Sequence, residues 1–216
     1  MNLTQTYNFI QIDNNAWPLQ GREYRNSPLW MYYNVFTEKE LNILENRLNY
    51  YKQYQRDATT SVKDKDKYEI NNKIRSSKVV FLDFRDEHLT WFYEKITSII
   101  NDANISNFNF NLTGIEPLQF GTYRAEDKGF YNWHVDASST RTYCNNIRKL
   151  SFSLLLREPE KDFTGGEFEY TTEENTMPLK RNSIVFFPSF LVHRVKPVTS
   201  GTRESIVGWI NGPNWV

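Results

Sequence analysis

Several features that define large classes of protein are scarce in this sequence. A single cysteine, Cys144, stands among 216 residues, which excludes an internal disulfide framework and a cysteine-rich zinc site. Basic and acidic side chains are equal in number, 26 of each, so there is no net field to attract nucleic acid or an anionic membrane surface. Since no dense cluster of lysine and arginine is present either, neither partner is expected.

Long apolar segments are also missing. No run approaches the roughly 20 apolar residues that span a bilayer, and residues 1–15 have neither the basic leader nor the apolar core of a signal peptide. The sequence therefore predicts a soluble, cytoplasmic protein. A hydrophobic fraction of 39%, with 16% aromatic residues, is too apolar for a disordered chain. The length suits one domain over residues 1–216.

A helix is predicted in the first quarter of the chain. Thr37 and Glu40 form the pattern of a capping box. Leucines at helical spacing follow, which predicts a helix over about 38–54. The polar and charged stretch 56–73 comes next and is interpreted as a solvated loop. The alternative interpretation is a flap that closes over a site.

A second predicted helix covers Glu87 to Asn101. Its apolar residues again recur at helical spacing, which predicts one buried face. The side chains expected in the core are Leu89, Phe92, Ile96 and either Ile99 or Ile100. His88, at the start of this helix, is expected at the surface.

After residue 113 the sequence predicts strands. Short apolar and aromatic runs alternate with turn residues, near 115–124, 130–136, 148–157, 166–171, 183–188, 191–197 and 203–211. A turn with two glycines is expected at 162–166. Helices followed by strands indicate an α+β fold, in which an antiparallel sandwich or barrel carries a helical layer on one side. The helical layer would cover about 30–113 and the strand core about 114–214.

Two of the three histidines stand in informative places. His134 and Asp136 are two residues apart in a predicted strand, so both side chains are expected on one face. His193 lies on a late strand, which a sandwich can bring close to that pair. Two neutral imidazoles and one carboxylate form the facial triad of non-haem Fe(II) oxygenases. The alternative is a structural polar pair that is hydrogen-bonded to the backbone.

An arginine on a neighbouring predicted strand adds a second chemical signal. Arg203 follows His193 by ten residues, and a guanidinium group can clamp a carboxylate through two parallel hydrogen bonds. Ser205 shares its face and adds a hydroxyl donor. A metal triad beside a buried cation suits an α-keto acid that chelates the metal at one end and carries a carboxylate at the other.

With these motifs the chain resembles the 2-oxoglutarate- and Fe(II)-dependent dioxygenases, in particular the prolyl 4-hydroxylase-like branch. The resemblance extends over about residues 30–214 and is looser in the first half, where it includes Ile74 to Ser77. The matching segments of the second half are Tyr123, Tyr131 to Asp136, Arg148 to Leu154, Gly165 to Glu167, Phe187 to Ser189, His193, Arg203 to Ser205, and Trp209.

The resemblance implies a double-stranded β-helix, or jelly-roll, of antiparallel strands with N-terminal helices packed on one sheet. It also implies a role for each candidate residue. Fe(II) would be held by His134, Asp136 and His193. The 2-oxoglutarate co-substrate would be bound by Arg203, Tyr123, Ser205, Ser151 and Trp209. The substrate groove would be faced by Tyr131 and Arg75.

The implied activity is hydroxylation of an unactivated C–H bond. O2 and 2-oxoglutarate would be consumed and succinate and CO2 released, with ascorbate as a candidate reductant. The prolyl 4-hydroxylase-like segments indicate a peptidyl substrate. One alternative is an oxygenase of the same fold that acts on a free amino acid or small metabolite, and another is a non-catalytic β-sandwich binding module. Asp136 favours hydroxylation, because related halogenases lack this carboxylate.

Overall fold

The structure is a computed structural model of the chain, and it describes residues 28–61, 68–71, 73–137 and 146–214. The predicted loop or flap at 56–73 lies partly outside the described residues, and Cys144 lies wholly outside them. In the described ranges, no helix has the length and apolar character needed to cross a membrane.

Helix α1, Glu38–Lys52, begins where the sequence predicts. The backbone N–H of Glu40 donates to the Thr37 hydroxyl at 3.3 Å, and the Glu40 carboxylate accepts from the Thr37 backbone N–H at 2.7 Å. Both halves of the predicted capping box are therefore present. The buried side chains of the helix recur every three or four residues, and they are Leu41, Leu44, Leu48 and Tyr51.

The second predicted helix is composite. A 3-10 turn, Glu87–Leu89, leads into α2, Thr90–Ala103, and a single π turn, Asn104–Phe108, follows. The Asp86 carboxylate caps the 3-10 turn by accepting from the backbone N–H of His88 at 3.0 Å. His88 is exposed, as predicted. The predicted core residues are confirmed as buried, and they are Leu89, Phe92, Ile96 and Ile100.

The described residues form sixteen strands, β1 to β16 in chain order. The strands that precede α2 are β1 Trp30–Tyr33, β2 Arg56–Asp57, β3 Thr60–Ser61, β4 Tyr68–Glu69, β5 Arg75–Ser76 and β6 Lys78–Phe81. The strands that follow α2 are β7 Gly114–Ile115, β8 Gln119–Arg124, β9 Phe130–His134, β10 Asn146–Leu155, β11 Phe163–Gly165, β12 Phe168–Tyr170, β13 Thr176–Met177, β14 Ser183–Pro188, β15 His193–Val195 and β16 Val198–Pro213.

The first half of the chain departs most from the sequence prediction, which contains no strand before residue 113. Strand β1 pairs with β14, and β6 pairs with β8. Strand β2, which lies inside the stretch predicted as a loop, pairs with β6. These strands have two to four residues each, too few to show a periodic pattern. Their pairing partners lie far away in sequence, so tertiary context decides their conformation.

The second half agrees more closely with the prediction. Strand β14 has the predicted bounds, whereas the other predicted strands differ at one or both ends and the strand predicted at 115–124 is divided into β7 and β8. The turn predicted at 162–166 is partly a strand, because β11 pairs with β16. Gly165 and Gly166 nevertheless have positive φ angles of 71° and 65°, a conformation that glycine adopts without steric cost.

Two sheets contain most of the described strands. The order in the larger sheet is β1-β14-β10-β16-β8-β6-β2, with β7 and β11 also paired to β16, and the order in the smaller sheet is β13-β12-β15-β9-β5. The short strands β3 and β4 pair with each other. All these pairings are antiparallel. The α+β class with antiparallel strands is therefore confirmed.

The larger sheet buries side chains on both faces. In β14, Ile184 and Phe186 pack with the helices, whereas Val185 and Phe187 pack toward the smaller sheet, as alternation along a strand requires. The helix-side core joins α1 and α2 to β8, β10, β14 and β16. The predicted packing of the helices on one sheet is thus observed, and the other face is left to form the interior between the sheets.

Candidate metal centre

His134, Asp136 and His193 lie together where β9 ends and β15 begins. His134 is directly opposite His193 in the pairing of these two strands. The potential ligand atoms of the three residues all lie within 4.8 Å of one another. Nε2 of His134 is 3.7 Å from Oδ1 of Asp136, and Nε2 of His193 is 3.8 Å from Oδ2. Two imidazole nitrogens and a carboxylate therefore converge on one point.

Asp136 reaches this point in a way that differs from the prediction. Strand β9 ends at His134, so Asp136 lies outside the strand and alternation along a strand does not place it. Instead, the backbone N–H groups of Asp136 and Ala137 donate to the carbonyl of Ser189 at 2.9 and 2.8 Å. These bonds tie the segment after β9 to the residue that follows β14, which holds the carboxylate beside the imidazoles.

Backbone carbonyls fix the orientation of both imidazoles. Nδ1–H of His134 donates to the Asn132 carbonyl at 2.8 Å, and Nδ1–H of His193 donates to the Leu191 carbonyl at 2.9 Å. Because a carbonyl only accepts, Nδ1 carries the proton and Nε2 presents its lone pair toward Asp136. Burial, helped by His193, lowers the pKa of His134 to about 3. The ring is therefore neutral near pH 7, as a metal ligand must be.

Asp136 is ionised although it is buried. Burial by itself would raise the pKa of the carboxyl group, but the imidazoles of His193 and His134 and a hydrogen bond from Ser151 outweigh it and lower the pKa. Ser151 Oγ also lies 2.8 Å from Ser189 Oγ. A carboxylate oxygen beside two imidazole nitrogens is the donor set that suits non-haem Fe(II).

Arg203 is almost completely buried, with 1% of its surface exposed. Its Nη1 donates to Ser205 Oγ at 3.0 Å, whereas Nε and Nη2 have no hydrogen-bond partner among the described residues. The Tyr123 ring lies 5.6 Å from the guanidinium carbon, and burial lowers the pKa of the group. Buried donors without acceptors are costly. A carboxylate would satisfy both of them in a bidentate pair.

A small chamber of about 40 Å³ connects Arg203 with the metal-ligand residues. The imidazoles, Asp136, Arg203 and Ser205 supply polar groups to its wall. The apolar part of the wall comes mainly from Phe152, Phe168, Phe187, Val195, Val207 and Trp209. Donor nitrogens at one end and a cation at the other match a chelating keto acid with a distal carboxylate.

The other predicted co-substrate residues occupy different positions. Ser205 and Trp209 line the chamber. Ser151 lies at the Asp136 end, where it bonds to Ser189, and Tyr123 packs its ring against Arg203. Neither Ser151 nor Tyr123 is among the residues that line the chamber.

A wider groove of about 690 Å³ opens beside the chamber, and Asp136 and Trp209 line both cavities. Tyr131 and Arg75, the predicted groove residues, also line both. The Tyr131 ring is stacked on His134 at 3.5 Å between centroids, and the Arg75 guanidinium lies 4.5 Å from the Tyr131 ring. Burial raises the pKa of Tyr131 to about 12, so the phenol is neutral. A molecule in the groove would lie next to the candidate metal centre.

The groove also contains residues to which the sequence assigned no role. Arg148 donates to both oxygens of Glu116, at 2.8 and 2.5 Å, and its guanidinium lies 4.0 Å from the Trp209 ring. A shift in the β10–β16 register between Arg148 and Leu150 changes the alternation and turns Arg148 toward the groove. The strand pattern of the sequence has no signal for this bulge. Gln119 is likewise identified only by its contacts.

Comparisons with known sequences agree with this geometry. Residues 118–211 match the model of the 2OG-Fe(II) oxygenase superfamily. A PKHD-type hydroxylase from Gloeothece citriformis is 35% identical over 122 residues, which is 54% of this chain and 54% of that protein. Another, from Hyphomonas neptunium, is 48% identical over 83 residues, 37% of each chain. The chain spans about half, or less, of the length of these curated relatives.

Solved structures share the fold at low sequence identity. A prolyl-4-hydroxylase from Pseudomonas putida superimposes with a TM-score of 0.64 at 16% identity, covering 88% of this chain and 95% of that one. A prolyl hydroxylase from Trichoplax adhaerens, solved with a hypoxia inducible factor peptide fragment, gives 0.67 at 18% identity and covers 86% and 84%. The sequence and fold comparisons confirm the resemblance to 2OG/Fe(II) oxygenases of the prolyl 4-hydroxylase-like branch.

Proposed function

We propose that this chain, whose strand-rich half is that of a 2OG/Fe(II) oxygenase, hydroxylates a peptidyl proline and converts 2-oxoglutarate and O2 into succinate and CO2. The observation that carries the proposal is the chamber with the metal-ligand set at one end and Arg203 at the other. A structural His–Asp pair does not require a buried arginine whose Nε and Nη2 have no hydrogen-bond acceptor in the described part of the chain. The arrangement therefore favours an enzyme over a binding module.

In this proposal His134, Asp136 and His193 hold Fe(II), and Arg203 with Ser205 binds the distal carboxylate of 2-oxoglutarate. When bound, the iron supplies the activation of O2 that oxidation of an unactivated C–H bond requires. The chain orients the ligands through the carbonyls that accept from each Nδ1–H, and its apolar chamber wall limits the access of water.

The remaining site residues have supporting roles in the proposal. Ser151 orients Asp136 through its hydrogen bond, and Tyr123 packs beside the Arg203 guanidinium. Trp209 contributes to the walls of both the chamber and the groove. Ascorbate as a reductant stays a prediction from the resemblance.

The proposed substrate site is the groove beside the triad. Its volume is in the range of pockets that enclose ligands larger than a single amino acid, which favours a peptide over a free amino acid or small metabolite. The Trichoplax adhaerens neighbour was solved with a peptide, and this also supports the peptide class. Arg56, Asp57 and Thr60 of the predicted flap line the groove, in support of the flap interpretation.

We extend the proposal to the fold: the two sheets would form a double-stranded β-helix, and residues 1–216 would be one domain, with a helical layer at about 30–113 and a catalytic core at about 114–214. A cytoplasmic location stays a prediction.

Succinate formation from 2-oxoglutarate tests the proposed function. We expect succinate only when Fe(II) and 2-oxoglutarate are both supplied, and faster with capped proline peptides than with free proline. Asp136→Ala should abolish it, and His88→Ala, which changes an exposed histidine outside the site, should not. A protein that binds Fe(II) and 2-oxoglutarate but forms no succinate with any substrate class would contradict the enzymatic proposal and support the binding module.

A further inference from the structure

The charged side chains around the groove do not all have partners of opposite charge. Those that line it are Arg56, Asp57, Arg75, Glu116, Asp136 and Arg148. The Glu116 carboxylate is held by Arg148, the Asp57 carboxylate lies 3.6 Å from the Lys78 ammonium, and Asp136 faces the two imidazoles. Within the described ranges, Arg56 and Arg75 form no ion pair. Arg56 and Arg75 are therefore the two arginines of the groove wall that have no carboxylate partner among the described residues.

Arg75 is the more informative of these two arginines because only 7% of its surface is exposed. Its Nε donates to Ser77 Oγ at 2.7 Å and its Nη2 donates to Gln119 Oε1 at 2.9 Å. Both acceptors are neutral, and the Tyr131 ring beneath the guanidinium is neutral as well. A buried cation that lacks an anion is costly, and a bound anionic group would remove that cost.

Arg75 is also placed where substrate and metal centre would meet. Together with Gln119 and Tyr131 it lines both the chamber and the groove. The stacking of Tyr131 on His134 puts the guanidinium one aromatic ring away from a candidate iron ligand. In the proposed function the distal carboxylate of 2-oxoglutarate is bound by Arg203, so Arg75 remains available to a second molecule.

We propose that the substrate presents a carboxylate to Arg75, and that Arg56, exposed at the groove, adds to the attraction. This inference rests on the proposed function and narrows its substrate class to acidic molecules. The carboxylate could be an acidic side chain next to the target residue of a peptide or the α-carboxylate of a free amino acid. A charge-assisted hydrogen bond of this kind corresponds to about tenfold to hundredfold in affinity.

Gln119→Glu is the sharpest variant, because it places a carboxylate against Arg75 with almost no change in volume. The guanidinium would then be neutralised from within the protein, and the substrate carboxylate would lose its partner. Gln53→Glu is the matched control. It makes the same change of charge at the end of α1, where the Gln53 amide donates to the Tyr50 carbonyl outside both cavities.

Calorimetry on protein loaded with Mn(II) and 2-oxoglutarate under argon measures binding without turnover. One probe pair is acetyl-Gly-Pro-Glu-Gly-amide and its counterpart with Gln in place of Glu. The other is N-acetyl-proline and N-acetyl-prolinamide. In the parent and in Gln53→Glu, we expect the acid of at least one pair to bind at least tenfold more tightly than the amide. In Gln119→Glu the acid should fall to the affinity of the amide. The probe pair that shows this preference tells whether Arg75 binds an acidic side chain of a peptide or an α-carboxylate.

Equal affinity of acid and amide in both probe pairs for the parent, or no binding of either acid at millimolar concentration, would overturn the inference. So would a preference for the acid that survives in Gln119→Glu. If that variant instead weakens 2-oxoglutarate and leaves the probe preference intact, Arg75 belongs to the co-substrate and the inference is wrong. A parent that binds neither Mn(II) nor 2-oxoglutarate would show that the proposed function itself has failed.

Discussion

The two faces of the larger sheet bury different kinds of side chain. Toward the helices, the core is built from residues such as Phe92, Ile96 and Ile206, which need no partners for polar atoms. Toward the smaller sheet, apolar residues share the interior with Arg203 and His193, both almost fully buried. Polar groups in such surroundings cost stability unless they are satisfied. We therefore expect substitutions on the first face to affect mainly stability, and substitutions on the second face to affect mainly ligand binding.

Strand β16 shows the same contrast in two adjacent residues. Glu204 and Arg203 are both buried charges, and they point to opposite faces of the sheet. The Glu204 carboxylate is paired within the protein, at 2.7 Å from Lys52 and 2.5 Å from Arg157. Among the residues that the structure describes, Arg203 has only Ser205 as a hydrogen-bond partner, and that bond uses one of its three nitrogens. A buried charge that the chain neutralises itself is structural, whereas one left with unsatisfied donors indicates a ligand.

The largest expected effect lies on the ligand-binding face. Asp136→Ala should lower Fe(II) affinity at least about 100-fold, because even residues that only support a metal ligand are worth about 10- to 100-fold. The fold should survive, since a metal site with open positions is not a structural staple. Equilibrium dialysis and thermal unfolding measure the two effects. Asp83→Ala, at an exposed carboxylate paired with Arg85, is the control. Parental Fe(II) affinity in Asp136→Ala would eliminate this ligand.

The opposite result is expected on the helix-packed face. Phe92→Ala should lower the free energy of unfolding by about 3–5 kcal/mol, because it opens a cavity in a close-packed apolar core. Fe(II) and 2-oxoglutarate affinities of the folded protein should not change. Urea unfolding and titrations at low temperature measure these quantities. A loss of co-substrate affinity in protein that is still folded would mean that packing on the helix side also determines ligand binding on the opposite face.

A smaller effect is expected where a glycine borders the buried arginine. Gly166 has a positive φ, and a Cβ there would lie 2.9 Å from Arg203 Cδ. Gly166→Ala should therefore cost about 1–3 kcal/mol of stability and weaken 2-oxoglutarate severalfold by displacing the guanidinium. Gly114→Ala is the control, since no atom of the other described residues, apart from its chain neighbours, lies within 4 Å of its Cβ position. An unchanged 2-oxoglutarate affinity in Gly166→Ala would show that Arg203 tolerates displacement.

The smallest expected effect is the pH-dependent contribution of Glu40, in helix α1, to the stability of the fold. The hydrogen bond from Lys95, together with that from the Thr37 backbone, lowers the pKa of Glu40 to about 2. A lowered pKa means that the carboxylate stabilises the fold above its unfolded pKa of about 4.5 and that this contribution disappears as the pH falls toward 2. Glu40→Gln keeps the capping pattern and removes the charge.

We expect Glu40→Gln to be less stable than the parent by under about 1 kcal/mol at pH 6, because the ion pair is partly exposed. The difference should shrink as the pH falls below 4. Glu94→Gln, at an exposed position of α2, serves as the control. A difference that is independent of pH would contradict the assignment to Glu40 ionisation.

The parts of the fold that could be predicted from the sequence are those with a local pattern. The capping box and leucine spacing define α1, and the run of four apolar residues from Ile184 to Phe187 defines β14. Strands β1 and β6 could not be predicted, because they are short and form only against distant partners. Their existence depends on the assembled sheet rather than on their own residues.

The residues of the candidate site could likewise be predicted only where residue type and spacing form a pattern in the sequence. His134, Asp136, His193 and Arg203 are identified by residue type and spacing, and the structure brings them to one chamber. The backbone hydrogen bonds to the Ser189 carbonyl, which hold Asp136 beside the imidazoles, correspond to no sequence pattern. Neither does the bulge that turns Arg148 toward the groove, nor the contact of Gln119 with Arg75.

The most direct test of the account compares two keto acids in two proteins. Calorimetry with Mn(II)-loaded parent should show that 2-oxoglutarate binds at least about tenfold more tightly than pyruvate, which lacks the distal carboxylate, because a charge-assisted hydrogen bond to a buried guanidinium is worth about 1.5–3 kcal/mol. In Arg203→Ala we expect unchanged Mn(II) affinity, unchanged weak binding of pyruvate, and no remaining preference for 2-oxoglutarate. Retention of the parental preference in Arg203→Ala would contradict the assignment of this buried arginine to the co-substrate.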